Sequence, residues 1–299
     1  MVVGHVHVHE RAESRRALAI ALGLTATYTV VEVVGGLYTG SLALLADAVH
    51  MLSDNLAIAL ALVAAWLATR PATPGRSFGY KRAEVLAALA NGVLLVALSI
   101  WIFVAAAQRL SDPPDVFGGW MLVIALVGIA VNLAAGAALY RSRAESLNVE
   151  AAFRHVLADL LGSFGVLAAA VVILATGWLQ ADPIASILIG LLVLASAWTI
   201  LRDSTEILLE STPRGIDAEE LGRRLAGAPG VVEVHDLHVW TITSGFPALS
   251  AHILVRPGED CHGRRRELER LLHDQFGIEH TTRQVDHATE GSLVEIARF

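Results

Sequence analysis

Cysteine is almost absent from this sequence, since Cys261 is the only one among 299 residues. One cysteine cannot form a disulfide within its own chain, so the sequence does not belong to the small proteins stabilised by disulfides. A zinc cage made of several thiolates from one chain is excluded for the same reason. A metal site within one chain would therefore use histidine and carboxylate side chains.

Charged residues are also scarce, at 17% of the chain, whereas 55% of the residues are hydrophobic and the mean hydropathy is +0.57. This composition is too apolar for a soluble globular protein of this length. The apolar excess ends near Leu201, and the rest of the chain is as polar as an ordinary soluble domain. The net charge of −7 does not favour nucleic acid as a partner.

Six apolar segments are long enough to cross a lipid bilayer, which takes about 20 helical residues. They are predicted at residues 17–38, 41–68, 83–107, 118–140, 150–176 and 183–201. The sequence therefore predicts a polytopic α-helical membrane protein with six transmembrane helices. A histidine-bearing N-terminal tail at 1–16 precedes a transmembrane domain at 17–211, and an α+β domain at 212–299 follows it.

Arginine and lysine predict the orientation of these spans. Six spans place both termini on one side, and the segments of that side contain Arg11, Arg15, Arg16, Arg70, Arg76, Lys81, Arg82, Arg141, Arg143 and Arg202. The three opposite loops contain only Arg109. By the positive-inside rule, both termini, and with them the C-terminal domain, are cytoplasmic.

The second span contains ionisable residues in an otherwise apolar segment. His50 and Asp54 are four residues apart, so they share one helix face, and Asp47 lies close to the same stripe. The fifth span repeats the His-x-x-x-Asp spacing with His155 and Asp159. Two such helices facing each other would offer two nitrogens and two carboxylate oxygens, which is a ligand set for tetrahedral Zn²⁺. The alternative is that each pair only forms hydrogen bonds inside the helix bundle.

Other charged residues fall in or beside the spans. Glu32 is an isolated acid in the first span and should face the bundle interior. Glu32 and Asp47 are interpreted as neighbours of the metal site or as part of a proton path. At the cytoplasmic ends, Arg82 and Asp203 are a candidate charge pair that holds helices together or opens as a gate. The alternative is that these end charges are simply solvated.

The sequence pattern of residues 212–299 predicts a small metallochaperone-like domain, whose elements follow in the order helix, strand, strand, helix, strand. The predicted elements are 217–226, an interrupted or single long strand over 231–241, 249–255, 264–276 and 281–285. The domain is rich in histidine, with His235, His238, His252, His262, His273, His280 and His287, accompanied by Asp236 and Asp286. A second metal site is predicted here, although any one of these histidines is equally consistent with an ordinary surface residue. His5, His7 and His9 of the tail are either weak metal ligands or solvated residues without a specific role.

Four stretches together resemble the cation diffusion facilitator family, in particular its zinc-transporting branch. They are Ala46 to Asp54, Phe78 to Glu84, His155 to Asp159 and Val234 to Trp240, and they are spread over nearly the whole chain. The resemblance implies a homodimeric, proton-coupled exporter of Zn²⁺ that is not an enzyme, with Cd²⁺ or Co²⁺ as secondary cargo. It implies a transport site at His50, Asp54, His155 and Asp159. It also implies that the cytoplasmic domain regulates and dimerises the protein, with metal ligands at His235, His238, His252, His280 and Asp286.

Two other classes of function are weighed against transport. A membrane metalloenzyme is disfavoured because the sequence has no His-Glu-x-x-His motif and a four-ligand shell leaves no position for water. A membrane-anchored zinc sensor without transport would need only the sites of the soluble domain. The alanine-, glycine- and arginine-rich composition favours a bacterial source and hence the cytoplasmic membrane.

Overall fold

The computed structural model describes residues 3–140 and 147–288, without the side chains of 3–17 and of a few other helical positions. It contains six long helices: α1 (Val3–Thr39), α2 (Leu42–Ala68), α3 (Ala83–Ser111), α4 (Gly118–Tyr140), α5 (Leu147–Thr176) and α6 (Ala181–Leu208). All 6 are long and apolar enough to cross a membrane, which confirms the predicted fold class of this part. Arg141 and Arg143 lie outside the described residues, as do the side chains of His5, His7 and His9.

Two helices are longer than the sequence predicts by about two turns or more. α1 begins at Val3, so it continues through most of the segment expected to be a tail. α6 ends at Leu208 and not near Leu201, because its polar last turns remain helical after the apolar run ends. The predicted bounds of the spans follow hydropathy, whereas helical hydrogen bonding continues beyond the apolar segment.

The chain divides into two compact units. One comprises the residues up to Leu60 together with Ala90–Ile200, and the other comprises Ala61–Leu89 and the chain from Leu201 onward. The first unit has an apolar core that includes Tyr28, Leu44, Ile102, Met121 and Val166. Large apolar side chains such as Val30, Trp101 and Trp198 remain exposed on it, as expected for helices that face lipid.

The second unit contains the α+β domain. Its elements are α7 (Ala218–Ala226), β1 (Val231–Thr243), β2 (Phe246–Val255), α8 (Cys261–Phe276) and β3 (His280–His287). The order of elements is the predicted one, and the two candidate strand segments after α7 form the single long strand β1. The sheet order is β1-β2-β3, in which β1 is antiparallel and β3 parallel to β2.

Capping residues and an apolar layer stabilise this domain. Asp217 accepts hydrogen bonds from Glu219 and Glu220 at the start of α7. Asp260 caps α8 in the same way, and the backbone N–H groups of Gly263 and His262 hold the pKa of its carboxyl below the usual value. The helices contribute Leu221, Leu225, Leu268 and Leu272 to a core shared with Leu249, Ala251, Ile253 and Val255 of β2. Because strand side chains alternate, residues such as Ser250 and His252 lie on the other face of β2.

Candidate metal centre in the membrane unit

The structure brings the two His-x-x-x-Asp pairs together. His50 and Asp54 lie one turn apart on α2, with 3.5 Å between His50 Nδ1 and Asp54 Oδ2. Across to α5, His50 Nε2 is 3.6 Å from Asp159 Oδ1, and His155 Nε2 is 3.1 Å from Asp54 Oδ2. His155 Nε2 is also 3.7 Å from Asp159 Oδ2. Each histidine therefore contacts a carboxylate of its own helix and one of the other helix.

These separations fit a tetrahedral metal shell. Zinc bonds to nitrogen and oxygen are about 2.0–2.2 Å long, which places the ligand atoms of a tetrahedron about 3.3–3.6 Å apart. One ligand atom each from His50, Asp54 and Asp159 already lie within 4.8 Å of one another. His155 lies outside that group of three, but its ring centroid is 6.0 Å from that of His50 and its Nε2 contacts both carboxylates. His155 therefore lies beside the three grouped ligands and contacts two of them.

The burial of the four side chains differs from one side of the cluster to the other. Asp159 is 3% exposed and His50 15% exposed, whereas Asp54 is 29% and His155 is 44% exposed. Among the described residues, the buried atoms His50 Nδ1 and Asp159 Oδ1 have no hydrogen-bond partner. Buried polar atoms without partners are costly, and a bound cation would satisfy them. The cluster is therefore buried on one side and accessible on the other.

A second polar layer lies against this cluster. Asp47 and Glu32 are both 0% exposed. Tyr28 donates to Glu32 Oε1 at 3.1 Å, and the Ser163 hydroxyl donates to Asp47 Oδ2 at 3.4 Å. A buried carboxylate without a partner charge is costly, and binding a proton removes that cost. Two buried acids in this layer are therefore suited to hold a proton.

Gly162 provides the space for this pair. It lies on α5 three residues after Asp159, and a Cβ added to it would overlap Asp47 Oδ1. α2 and α5 can therefore approach closely beside the ligands only because position 162 has no side chain. The sequence analysis singled out neither Gly162 nor Tyr28. Their roles depend on contacts between helices that spacing within one helix does not reveal.

The cytoplasmic domain contains a separate histidine cluster. His235 and His252 are paired in register across β1 and β2, and their ring centroids are 5.4 Å apart. A bulge after His235 places Asp236 at a positive φ of 50°. Asp236 Oδ2 is then 3.8 Å from His252 Nδ1, and the three residues offer ligand atoms within 4.8 Å of one another. Asp236 was noted in the sequence but not included among the expected ligands.

The other expected ligands of this domain lie farther away within one chain. His238 pairs with Ser250, and Asp286 pairs with Leu254. Both partner positions on β2 are two residues from His252, which is about 7 Å along the strand. His280 pairs with Ala248, four residues from His252, or about 13 Å. Its ring packs instead near Phe78 and Phe246, with centroids 5.8 and 5.6 Å away. A single chain therefore does not bring His280 to the cluster.

The expected pair between Arg82 and Asp203 is not formed, and this prediction was wrong. Arg82 Nη2 contacts Glu210 Oε1 at 2.6 Å, and Asp203 Oδ1 contacts Arg214 Nη2 at 2.5 Å. The reason is the longer α6, since the turn after its last residue carries Glu210 to Arg82. A charge pair between these two segments does exist, but with a different acid.

Comparisons with known proteins cover both parts of the chain. Residues 18–209 match the family described as the cation efflux transmembrane domain, and residues 213–288 match the cation efflux protein cytoplasmic domain. The chain is 42% identical over 292 residues to the metal cation efflux system protein CzcD of Cupriavidus metallidurans, covering 96% of this chain and 91% of that protein. It is 42% identical to the zinc transporter ZitB of Escherichia coli, covering 95% and 93%. It is 39% identical to the cadmium, cobalt and zinc/H(+)-K(+) antiporter of Bacillus subtilis, covering 94% and 91%.

Proposed function

Because the chain belongs to the cation efflux family of membrane metal transporters, the cation diffusion facilitators, we propose that it exports Zn²⁺ from the cytoplasm in exchange for protons. The family comprises transporters and not enzymes. One relative is named as a zinc transporter and another as an antiporter of cadmium, cobalt and zinc. Zinc is therefore proposed as the main cargo and Cd²⁺ or Co²⁺ as secondary cargo.

The observation that carries this proposal is the meeting of two His-x-x-x-Asp pairs from α2 and α5. Their ring nitrogens and carboxylate oxygens, with contacts of 3.1 to 3.7 Å, are of the type that zinc binds. We propose His50, Asp54, His155 and Asp159 as the transport site. Two carboxylates also balance the charge of a divalent cation, which lowers the cost of holding it inside the bilayer.

Exchange follows from competition for the same side chains. Zinc binds deprotonated ligands, so metal and protons exclude each other at the site. The ring nitrogens of His50 and His155 can each bind either a proton or the metal, so the two histidines are the proposed positions of exchange. In the inward-open state, Zn²⁺ displaces protons from the histidines, and in the outward-open state protons displace Zn²⁺. The site must never be open to both sides at once, which requires alternating access.

We propose that the Glu32–Asp47 pair is part of the proton path. Glu32→Gln keeps the size of the side chain and an oxygen that can accept the hydrogen bond from Tyr28, but it cannot carry the exchangeable proton. Zinc affinity at fixed pH is expected to stay near the native value. Zinc flux driven by a pH gradient is expected to fall strongly. Both are measured on the same purified protein, before and after reconstitution into vesicles.

Two results would contradict this role. Unchanged flux with an unchanged pH dependence would remove Glu32 from the proton path. A loss of zinc affinity as large as the loss of flux would instead assign Glu32 to the metal site.

The cytoplasmic domain is proposed as the regulatory and dimerisation domain of a homodimer. We propose that this domain begins at about residue 212 and that both termini are cytoplasmic. The protein is proposed to lie in the cytoplasmic membrane of a bacterium. The positive-inside bias supports the orientation, and the bacterial relatives support the membrane. His235, Asp236 and His252 are proposed to bind cytoplasmic zinc and bias the helices toward transport. His238 and Asp286 are near enough to join this site after a modest movement.

His252→Ala tests this regulation. Loss of one ligand is expected to raise the zinc concentration for half-maximal activation of transport at least about 10-fold. His280→Ala is the matched control, because His280 contacts aromatic rings and not the cluster. Transport is measured as a function of zinc on the cytoplasmic side. If His252→Ala retains the native zinc dependence, the regulatory role is wrong, and if His280→Ala alters it, His280 acts as a ligand through the partner subunit.

The alternative function is a membrane-anchored zinc sensor without transport. It would use the cytoplasmic cluster and leave the membrane cluster a structural role. Zinc flux across sealed vesicles that contain only this protein separates the two functions. Flux above that of empty vesicles supports the transporter, and zinc binding without any flux supports the sensor.

A further inference from the structure

The N-terminus of α2 is capped by a residue from another helix. The first N–H groups of any helix have no acceptor within it. Here the Asp182 carboxylate at the start of α6 accepts the N–H of Leu42 at 2.8 Å and that of Ala43 at 3.1 Å. It also accepts the hydroxyl of Ser41 at 2.5 Å. The Ser41 oxygen in turn accepts the N–H of Leu44 at 3.1 Å, so three consecutive N–H groups are satisfied.

The same turn is fixed from two further helices. Arg109 of α3 donates to the Gly40 carbonyl at 2.5 Å, and its Nη1 lies 3.7 Å from Asp182 Oδ2. The N–H of Phe117, just before α4, donates to the Thr39 carbonyl at 3.0 Å. The turn between α1 and α2 is therefore bound to the ends of α3, α4 and α6.

A buried carboxylate is a costly way to cap a helix. Asp182 is 1% exposed, and removing a carboxylate from water is unfavourable unless other groups compensate for it. The positive end of the α2 dipole, three donors and Arg109 provide that compensation. Ser41 already occupies a position from which a serine can cap α2 by itself. A cap from another helix also fixes the position of α2 relative to α6, which a local serine cap cannot do.

The helix held in this way carries half of the proposed transport site. His50 and Asp54 follow Leu42 by 8 and 12 residues, which is about 12 and 18 Å along the helix axis. A helix fixed at its end in both rotation and height presents these two side chains at a defined angle to α5. Metal sites tolerate deviations of only about 0.2 Å in ligand distance.

We propose that Asp182 is a positioning residue for metal binding. By capping α2 from α6, it sets the rotation and height at which His50 and Asp54 meet His155 and Asp159. This inference rests on the proposed function, since it concerns the geometry of that transport site. Asp182 itself does not bind the metal.

The test is zinc affinity and the visible spectrum of bound Co²⁺ in the full-length protein in detergent. A His252→Ala background removes the contribution of the cytoplasmic cluster. Asp182→Ala is expected to weaken zinc binding at least about 10-fold, as loss of a residue that orients metal ligands does. The intensity of the Co²⁺ bands should fall because the tetrahedral geometry is disturbed. Asp182→Asn and Ser41→Ala retain part of the cap and should give smaller changes in the same direction.

The variants and one control separate the outcomes. A role confined to folding would lower the melting temperature but leave the affinity and spectrum of the folded protein native in all three variants, and that result would overturn the proposal. If Asp182→Ala does not fold, the Asn variant and Ser41→Ala decide. Asp54→Ala is the control for the transport site. Native affinity in Asp54→Ala would mean that the proposed function is wrong, whereas loss there with native affinity in the Asp182 variants would refute only the positioning role.

Discussion

Asp159→Ala is expected to lower the zinc affinity of the membrane site by more than about 100-fold. Asp159 is the most buried of the four proposed ligands, at 3% exposed, and its carboxylate faces both histidines. Residues that merely orient ligands contribute about 10–100-fold to metal affinity, so removal of a ligand should cost more. The measurement is equilibrium zinc binding to purified protein by competition with a chelating indicator.

Asp112→Ala is the matched control for this experiment. Asp112 is an exposed acid in the segment after α3, outside the cluster, so its removal changes the net charge by the same amount. Zinc affinity should remain native in this variant. Near-native zinc affinity in Asp159→Ala would show that the cluster of α2 and α5 is not where the metal binds.

Gly162→Ala is expected to reduce zinc transport about 10-fold, although it adds only one methyl group. The new Cβ would overlap the buried Asp47 Oδ1, so α2 and α5 must separate or Asp47 must turn. Overpacking of this kind costs about 1–3 kcal/mol, and here the strain falls between the two helices that carry the ligands. Zinc uptake into vesicles, corrected for the amount of folded protein, measures the effect.

Gly165→Ala is the control on the same helix. A Cβ at Gly165 would meet Ile189 side-chain atoms at 3.9 Å, which is an ordinary van der Waals contact. This variant should transport zinc at nearly the native rate. Equal rates for both variants would mean that the close approach at Gly162 has no role in transport.

The bounds of the helices and the contacts between helices were predictable from the sequence to different degrees. α4 was predicted at its observed bounds because its apolar run starts and ends abruptly. The meeting of the two His-x-x-x-Asp pairs was also predictable. Ionisable groups inside a bilayer need partners, and each pair offers the other both a histidine and a carboxylate. Spacing within each helix shows that each pair shares one face, and the cost of unpaired charge in the bilayer predicts that the two faces meet.

Features that depend on register or on turns were not predictable. The position of His280 along β3 relative to His252 follows from the strand register, which the sequence pattern does not specify. The partner of Arg82 depends on where α6 ends, and hydropathy does not mark that point. Asp182 was not singled out, since the sixth span was predicted to begin one residue after it, at Pro183. Its bond to the start of α2 joins residues 140 apart in sequence.

The most direct test of zinc–proton exchange is zinc uptake into proteoliposomes with an imposed pH gradient, for the native chain and for Asp54→Ala. The account predicts that native uptake requires the gradient and that Asp54→Ala abolishes it. Native uptake that is independent of the gradient, or undiminished uptake by Asp54→Ala, would contradict the account.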